Sequence, residues 1–387
     1  MANSITKNKK KKPVILQILP ELNAGGVERG TVEIATALVE KGYGSIVASQ
    51  GGNMVRQIKN ASAMHIKMNA ATKNPFKIWL NSKKLQKIIQ KYDVDVVHAR
   101  SRAPAWSAYL ACKNTNCHFM TTFHGTYKTK GLFKKLYNSV MVKGERVIAI
   151  SEFIKEHIKE NYAPNMRKVV VVPRCVDTEQ FDKSIITPNR AVQTAQKIKI
   201  EHDRPIILLP ARFTRWKGHY FLLEALAALD KSKYRCLFVG DVNKHYQYVR
   251  ELESKILEMD LMDNVYIINN QKDMPALYNL VDIVVSASVR PEAFGRVSIE
   301  AQAMERIIVA TKHGGSCETI IDGKTGFLVD PSDSEELAKT LEKLVKITDK
   351  KRKTITNAAR KNVVKNFNLE QMTSKTLAAY DSLCKNK

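Results

Sequence analysis

The stretch IVVSASVRPEAFGRVSIEAQAM, residues 283–304, predicts a strand, a loop and a helix in that order. Residues 283–286 are a short apolar run typical of a buried parallel strand, and an apolar helical pattern covers 297–304. The loop between them therefore lies at the carboxyl end of a strand, which is where ligands bind in open α/β sheets.

This loop has the features of an anion site. The first backbone N–H groups of the predicted helix, over residues 295–297, have no partner within the helix and suit a diphosphate. Gly295 allows a phosphate to approach the backbone closely. Glu292 precedes the helix and Glu300 lies about one turn inside it. Two carboxylates beside an anion are costly unless they bind hydroxyl groups, as sugars and ribose provide. Taken alone, the pair is better explained as a loop charge and a solvated helix residue.

Short apolar runs alternate with helical patterns on both sides of this stretch. Such alternation indicates parallel sheets covered by helices on both faces. Two successive units of similar size predict an α/β fold with two Rossmann-like domains facing each other across a cleft. The predicted strands are 14–19, 45–49, 94–98, 119–123, 147–150, 169–172, 206–210, 236–239, 265–268, 283–286, 307–310 and 326–329.

The composition of the segments sets the predicted domain boundaries. A basic, disordered N-terminus, 1–12, precedes a first Rossmann-like domain at 13–184. The polar segment 185–203 has no strong apolar period and is predicted to be a linker. A second Rossmann-like domain covers 204–365, and a C-terminal helix at 366–387 can pack back on the first domain.

The sequence does not have the features of a membrane-spanning, secreted, disulfide-bonded or cysteine-metal protein. The chain has 387 residues, 44% of them hydrophobic, but no apolar run near the ~20 residues of a membrane-spanning helix. The N-terminus lacks the apolar stretch of a secretory signal. Six scattered cysteines form no Cys-x-x-Cys pair, which favours reduced thiols over a metal site or disulfides. Asp93 and Asp95 have the spacing of a metal-binding pair but precede a buried strand, so we interpret them as its lead-in.

The positive charge of the chain is unevenly distributed. The formal charge is +25, and residues 1–184 contribute +18 from 31 basic and 13 acidic side chains. Such an excess favours an anionic partner, namely nucleic acid, an acidic membrane surface or a phosphorylated acceptor. Lys9 to Lys12, the helix predicted at 76–91 and the segment 128–135 carry much of it. The alternative is a charge that serves solubility alone.

The segment 292–300, with seven residues between its glutamates, resembles the signature of retaining glycosyltransferases of the GT-B fold, and most closely glycosyltransferase family 4. The similarity extends over residues 14–345. Further motifs that resemble the family are NAGGVE at 23–28, VPRCVD at 172–177, PARFTRWKG at 210–218, Gly314-Gly315 with Glu318, and Gly323 with Gly326-Phe327. Any one of these motifs is unspecific, but together they are specific.

The resemblance implies that 13–184 is the acceptor domain and 204–365 the nucleotide-sugar donor domain, and it implies roles for residues of the donor domain. Arg212 and Lys217 would clamp the donor diphosphate, which agrees with the charge that develops on such a leaving group. Glu300 would bind the ribose hydroxyls and Glu292 the hydroxyls of the transferred sugar. The backbone would position sugar and phosphate at Phe294, Gly295, Arg296 and Val297. The alternative for Arg212 and Lys217 is a pair of ordinary surface charges.

The resemblance also assigns residues of the first domain. His124, after the strand 119–123, would contact the donor sugar near its reacting carbon, unless it is a structural histidine. Gly25 and Gly26 would bring the first turn close to donor phosphate or acceptor, unless they form a plain tight turn. The region matching the base site, 267–273 with Gly240 and Asp241, acts through backbone groups and does not identify the base.

The resemblance implies a retaining, metal-independent hexosyltransferase-type enzyme. It would move a sugar from a nucleotide diphosphate sugar to a glycan or lipid-linked acceptor in lipopolysaccharide or other cell-surface glycan biosynthesis. We expect no cofactor besides this donor substrate, and no nucleic-acid partner. The expected location is cytoplasmic, peripherally associated with the anionic inner face of the cytoplasmic membrane.

Two other functions compete with this prediction. A nucleotide-sugar epimerase of the same fold would release an altered sugar without an acceptor, and the Glu292–Glu300 segment with Arg212 and Lys217 argues against it. A nucleic-acid-binding protein would explain the charge. However, the chain lacks basic–aromatic interleaving and a recognisable reading module.

Overall fold

The computed structural model describes residues 12–23, 25–127, 131–199, 201 and 203–385. Of the predicted disordered N-terminus, only Lys12 belongs to the described residues. Residues 128–130 of the basic segment 128–135 also lie outside them. The chain forms two compact units, Met1–Val172 with Met372–Lys387 and Pro173–Gln371. No helix within the described residues is long and apolar enough to span a membrane.

The first unit is built on a seven-stranded parallel sheet in the order β3-β2-β1-β4-β5-β6-β7. Its strands are β1 (Val14–Ile18), β2 (Gly44–Ser49), β3 (Met64–Lys67), β4 (Val96–Ala99), β5 (His118–Phe123), β6 (Arg146–Ala149) and β7 (Val169–Val171). Its helices are α1 (Gly26–Glu40), α2 (Val55–Asn60), α3 (Pro75–Tyr92), α4 (Arg102–Lys113), α5 (Leu132–Ser139) and α6 (Glu152–Tyr162).

The second unit contains a six-stranded parallel sheet in the order β10-β9-β8-β11-β12-β13. Its strands are β8 (Ile206–Pro210), β9 (Arg235–Gly240), β10 (Val265–Asn269), β11 (Ile283–Ser286), β12 (Ile307–Thr311) and β13 (Phe327–Val329). The remaining helices are α7 (Pro188–Ile198), α8 (His219–Ala227), α9 (Tyr246–Glu258), α10 (Met274–Asn279), α11 (Arg296–Ala303), α12 (Ser316–Thr319), α13 (Ser334–Val345), α14 (Asp349–Asn366) and α15 (Leu369–Cys384).

Two parallel sheets with interleaved helices confirm the predicted α/β class. Central strands such as β4 and β11 are buried along their whole length, which explains their continuous apolar sequences. Strand β3 was not predicted. It lies at the edge of its sheet, and its end residues, Met64 and Lys67, are exposed, so its sequence lacks a buried apolar run.

The segment predicted to be a linker, 185–203, is not wholly irregular. It contains α7, whose start is capped by Thr187, with its hydroxyl accepting a hydrogen bond from the Arg190 amide. The Arg190 guanidinium donates two 2.7 Å bonds to Asp273, the residue that caps α10. Helix α7 buries only Thr194 and Ile198, and this narrow stripe explains why the segment reads as a polar linker.

The second compact unit begins at Pro173, eleven residues before the end of the first predicted domain at 184. The Val176 amide donates a 2.9 Å bond to the Phe367 carbonyl, which ties the start of this unit to the end of α14. Helix α15 follows, and its residues from Met372 onward belong to the first unit.

A buried polar cluster fastens α15 to the first sheet. His98, in the middle strand β4, is fully buried, with Nδ1 2.6 Å from the Tyr380 hydroxyl and Nε2 2.7 Å from the Thr122 hydroxyl. Burial raises the pKa of Tyr380, so this phenol stays protonated. At the rim, the Tyr43 hydroxyl donates to Asp381 at 2.6 Å. The last helix is therefore held by specific hydrogen bonds as well as by apolar packing.

Replacing Tyr380 by Phe should lower the free energy of unfolding by about 1–3 kcal/mol, because it removes a buried hydrogen-bond partner of His98. Urea denaturation followed by circular dichroism measures the change. Tyr246→Phe is the matched control, since this tyrosine is exposed and should change stability by less than about 0.5 kcal/mol. Equal stability of the two variants would contradict the role of the cluster.

Candidate functional site

The order of the second sheet locates a candidate site. Strands β8, β9 and β10 run outward on one side of the sheet and β11, β12 and β13 on the other, so the direction of winding reverses between β8 and β11. Ligands of doubly wound folds bind outside the carboxyl ends of the strands at such a reversal. The loops after β8 and β11 contain the predicted residues Arg212, Lys217 and Glu292.

These two loops touch through their backbones. The Val289 amide donates a 2.9 Å bond to the Trp216 carbonyl. Gly218 has a φ of 74°, and a methyl group at this position would lie 1.7 Å from the Ala287 carbonyl oxygen. Only glycine permits this approach. The PARFTRWKG motif therefore needs its final glycine to bring Lys217 to the β11 loop.

Lys217 and Glu292 form an ion pair between the loops. The ammonium lies 2.5 Å from Glu292 Oε1, and the two side chains are 16% and 13% exposed. The Ser288 hydroxyl donates to the same carboxylate oxygen at 2.5 Å. The ammonium also lies 4.3 Å from the centre of the Trp216 ring. Lys217 has three N–H donors, so the pair leaves donor capacity for an anion.

Ser288 is itself fixed in place. Its carbonyl accepts a 2.8 Å bond from the Thr311 hydroxyl and lies 2.8 Å from His313 Nε2. Ser288 thus connects the Glu292 carboxylate to the end of β12. Nothing in the sequence pattern singles it out, because Ser288 lies in an irregular loop and its partners Thr311 and His313 are distant along the chain.

The Gly314-Gly315 motif packs closely against the backbone of the loop after β11. The Gly315 amide donates a 2.8 Å bond to the Glu292 carbonyl. A methyl group at Gly314 would lie 2.4 Å from that carbonyl oxygen, and one at Gly315 would lie 2.4 Å from the Phe294 Cα. The Phe294 side chain is buried, with its ring centre 5.8 Å from that of Phe367. Because the Phe294 side chain is buried, only the backbone of this residue can contact a ligand.

Helix α11 begins at Arg296, one residue before the predicted start at 297 and directly after Gly295, whose φ is 89°. The Ser298 and Ser316 hydroxyls are buried and have no hydrogen-bond partner among the described residues. A methyl group at Gly295 would lie 3.5 and 3.8 Å from these two oxygens. Sequence reasoning missed both serines. The available signal was a small hydroxyl residue in the first turn of a helix that starts after a glycine.

Glu300 lies one turn inside α11 and is oriented from two sides. The Tyr278 hydroxyl donates a 3.2 Å bond to Oε2, and Arg296 Nε lies 3.6 Å from Oε1. Tyr278 is fully buried. Burial, and then the Glu300 charge, raise the pKa of its phenol well above the usual value. Tyr278 therefore remains a donor that points the carboxylate, a role that its apolar sequence context did not indicate.

The other predicted residues of this unit differ in exposure. The Arg212 side chain is exposed and Val297 is half-buried. His219, two residues after Lys217, is fully buried, and its ring stacks on that of Phe213 with the ring centres 5.2 Å apart. Burial, with a smaller effect of Lys217, lowers the pKa of His219 to about 3, so this imidazole is neutral at physiological pH.

The remaining predicted residues belong to the first unit. His124 follows β5 at the carboxyl edge of the first sheet and is half-buried. Gly25, with a φ of 143°, precedes α1, and Gly26 is its first residue. Their participation in one site with Lys217 and Glu292 stays a prediction.

Asp93 and Asp95, which have the spacing of a metal-binding pair, are interpreted as the lead-in to a buried strand. Asp95 Oδ2 accepts a 2.9 Å bond from the Val14 amide, which confirms the lead-in interpretation. Within the described part of the chain, no group of three His, Cys, Asp or Glu side chains is placed to hold a metal ion.

Two family models match the chain. Glycosyltransferase Family 4 covers residues 24–180, and Glycosyl transferases group 1 covers residues 193–362. Together they include both units and all of the predicted site residues.

Three known proteins show the extent of the similarity. The crystal structure of a glycosyltransferase from Rickettsia africae ESF-5 is 44% identical, covers 97% of this chain and 100% of its own, and superposes with a TM-score of 0.91. The capsular polysaccharide biosynthesis glycosyltransferase CapM of Staphylococcus aureus is 28% identical over 62% of each chain.

The structure of Anabaena Alr3699/HepE in complex with UDP is 21% identical, covers 95% of this chain and 100% of its own, and has a TM-score of 0.83, a likeness of fold alone. From the family models and the close match to the Rickettsia africae enzyme, the chain belongs to the group 1 glycosyltransferases of family 4, which have the GT-B fold.

Proposed function

We propose that this glycosyltransferase moves a sugar from a nucleotide diphosphate sugar to a glycan or lipid-linked acceptor, with retention at the anomeric carbon. One observation carries the proposal: Lys217, the start of α11 and two oriented carboxylates meet at the switch point of one sheet. The complex of HepE with UDP supports a nucleotide donor.

Each part of the donor matches a different group. The diphosphate would lie at the start of α11, where backbone N–H groups and the Ser298 and Ser316 hydroxyls can donate to it. Lys217 and Arg212 would supply positive charge. Glu300, oriented by Tyr278, would accept hydrogen bonds from the ribose hydroxyls.

Glu292 would hold hydroxyls of the transferred sugar. One of its oxygens already contacts Lys217 and Ser288, so its other oxygen is the better acceptor for a substrate hydroxyl. An ion-paired carboxylate is a weak covalent nucleophile. We therefore assign Glu292 to binding and orientation. His124 of the first unit would donate a hydrogen bond near the reacting carbon.

The proposed reaction is a front-side displacement. The bond between the anomeric carbon and the diphosphate oxygen breaks, and the acceptor hydroxyl forms the new bond on the same face. The acceptor proton passes to the departing diphosphate. Lys217, Arg212 and the helix start stabilise the charge that develops on the leaving group, so the proposal requires neither a bound metal nor a cofactor.

The acceptor is proposed to be a component of lipopolysaccharide or another cell-surface glycan. The similarity to CapM, a capsular polysaccharide enzyme, supports this class. The charge of +18 on residues 1–184 supports work at the anionic inner face of the cytoplasmic membrane, since each basic residue near such a surface contributes about 1 kcal/mol. We do not propose nucleic acid as a partner of the basic residues.

Donor binding should be visible as thermal stabilisation by one of the common nucleoside diphosphates. A ligand at 100 times its Kd stabilises the folded state by about 2.7 kcal/mol. With that nucleotide, Glu300→Gln should remove most of the preference for ribose over 2′-deoxyribose, because the charged acceptor is worth about 1.5–3 kcal/mol.

Glu342→Gln is the matched control, since Glu342 lies on the exposed surface of α13, paired with Lys346. It should keep the full preference for ribose. If Glu300→Gln also keeps it, Glu300 does not bind the ribose.

The stereochemistry of transfer is a separate prediction. With a donor of known anomeric configuration, proton NMR of the first product should show the same configuration, with and without EDTA. An inverted product would refute the front-side mechanism. Loss of turnover in EDTA would refute metal independence, and release of an altered free sugar without an acceptor would indicate an epimerase instead.

A further inference from the structure

Six large apolar side chains are exposed near the beginnings of α3 and α5. On α5, Leu132 and Phe133 are 82% and 87% exposed, and Leu136 is 62% exposed. On α3, Phe76 and Trp79 are 67% and 50% exposed. Leu80 joins them, and the rings of Phe76 and Trp79 stack at 6.1 Å. We call these six residues the apolar face. Isolated exposed apolar residues are normal, but a cluster of this size marks an interaction surface.

The sheet topology brings these two helix starts together. Helices α3, α4 and α5 connect β3 to β4, β4 to β5 and β5 to β6, all in one direction across the sheet. Because such crossovers are right-handed, the three helices cover the same face. Each begins at the carboxyl edge of the sheet, so the exposed residues of α3 and α5 are at the same end.

Direct contacts agree with this placement. Trp106 of α4 donates from Nε1 to the Tyr137 carbonyl of α5 at 2.9 Å. Lys73, just before α3, lies with Nζ 5.9 Å from the Tyr137 ring centre. Helix α3 packs along α4. Helix α4 thus joins α3 and α5 into one surface of the first unit.

The charged residues of α3 and α5 all have one sign. Helices α3 and α5 contain no Asp or Glu. Lys77 and Lys83 on α3, and Lys134 and Lys135 on α5, are exposed. Lys134 and Lys135 lie between Phe133 and Leu136 in sequence, so the basic and apolar groups are interleaved.

We propose that the apolar face inserts into the interfacial region of an anionic lipid bilayer while the surrounding lysines contact the lipid phosphates. Aromatic and aliphatic side chains on a short amphipathic helix, with lysines beside them, are the composition of interfacial membrane anchors. A protein groove would fit the apolar residues but would not need the uniform positive charge. The inference rests on the proposed membrane location. It adds an apolar contact with the lipid that salt does not screen.

The experiment uses the full chain and two kinds of vesicle, pure phosphatidylcholine and phosphatidylcholine with 30% phosphatidylglycerol (roughly the anionic content of a charged membrane). The apolar variant is Trp79→Ser with Phe133→Ser and Leu136→Ser. All three residues are exposed, so the fold should survive. The matched control is Leu257→Ser with Met262→Ser, two exposed apolar residues of the second unit.

We expect the wild type and the control to sediment with anionic vesicles, and the apolar variant to partition at least about tenfold more weakly, since three apolar contacts are lost. In 0.5 M salt the wild type should keep a measurable part of its binding, because screening weakens only the charged contacts, whereas the apolar variant should lose all binding. Brominated lipids should quench the fluorescence of the wild type, and Trp79→Phe should abolish that quenching.

Unchanged vesicle binding of the apolar variant would overturn the apolar anchor and leave an electrostatic contact. Failure of the wild type to bind any vesicle would overturn the proposed membrane location as well. If ultracentrifugation showed a dimer that only the apolar variant disrupts, a second copy would be the occupant and the lipid proposal would be wrong. Nucleoside diphosphate binding, measured in parallel, reports on the glycosyltransferase site alone.

Discussion

The ion pair between Lys217 and Glu292 joins the two loops that border the switch point of the second sheet. It depends on a close backbone contact, because Lys217 reaches Glu292 only where Gly218 lies against the Ala287 carbonyl. A side chain at position 218 would push the loops apart and separate the charges. Partial burial of the pair makes it stronger than a surface salt bridge, and also costly to break from one side.

The two carboxylates of the proposed donor site are oriented by buried hydroxyl groups. Ser288 holds Glu292, and Tyr278 holds Glu300. Two carboxylates beside a diphosphate would repel it unless they were turned toward hydroxyl groups of the substrate. The hydroxyl donors and Lys217 achieve that orientation before a donor arrives, which is how a preorganised site lowers the energy of the charged transition state.

The sequence predicted those parts of the protein that depend on local pattern. The strand–loop–helix around Gly295 and the parallel sheets both have short-range signals, and the family motifs are themselves short segments. Helix α7 was missed because its buried stripe is narrow, and β3 because it is an edge strand. Tyr278 was missed for another reason: its contribution is a contact with Glu300, 22 residues away, which only the fold brings near. Ser288 lies four residues before Glu292, but in an irregular loop, where spacing does not predict which side chains meet.

We propose that Lys217, held by Glu292, binds the donor diphosphate. Isothermal titration calorimetry of a nucleoside diphosphate measures this binding most directly, with Lys217→Met compared with Lys339→Met on the exposed face of α13. We expect a loss of about 1.5–3 kcal/mol of binding free energy for Lys217→Met, roughly tenfold or more in Kd, and no change for Lys339→Met. Equal affinities of Lys217→Met and wild type, with the fold intact, would contradict it.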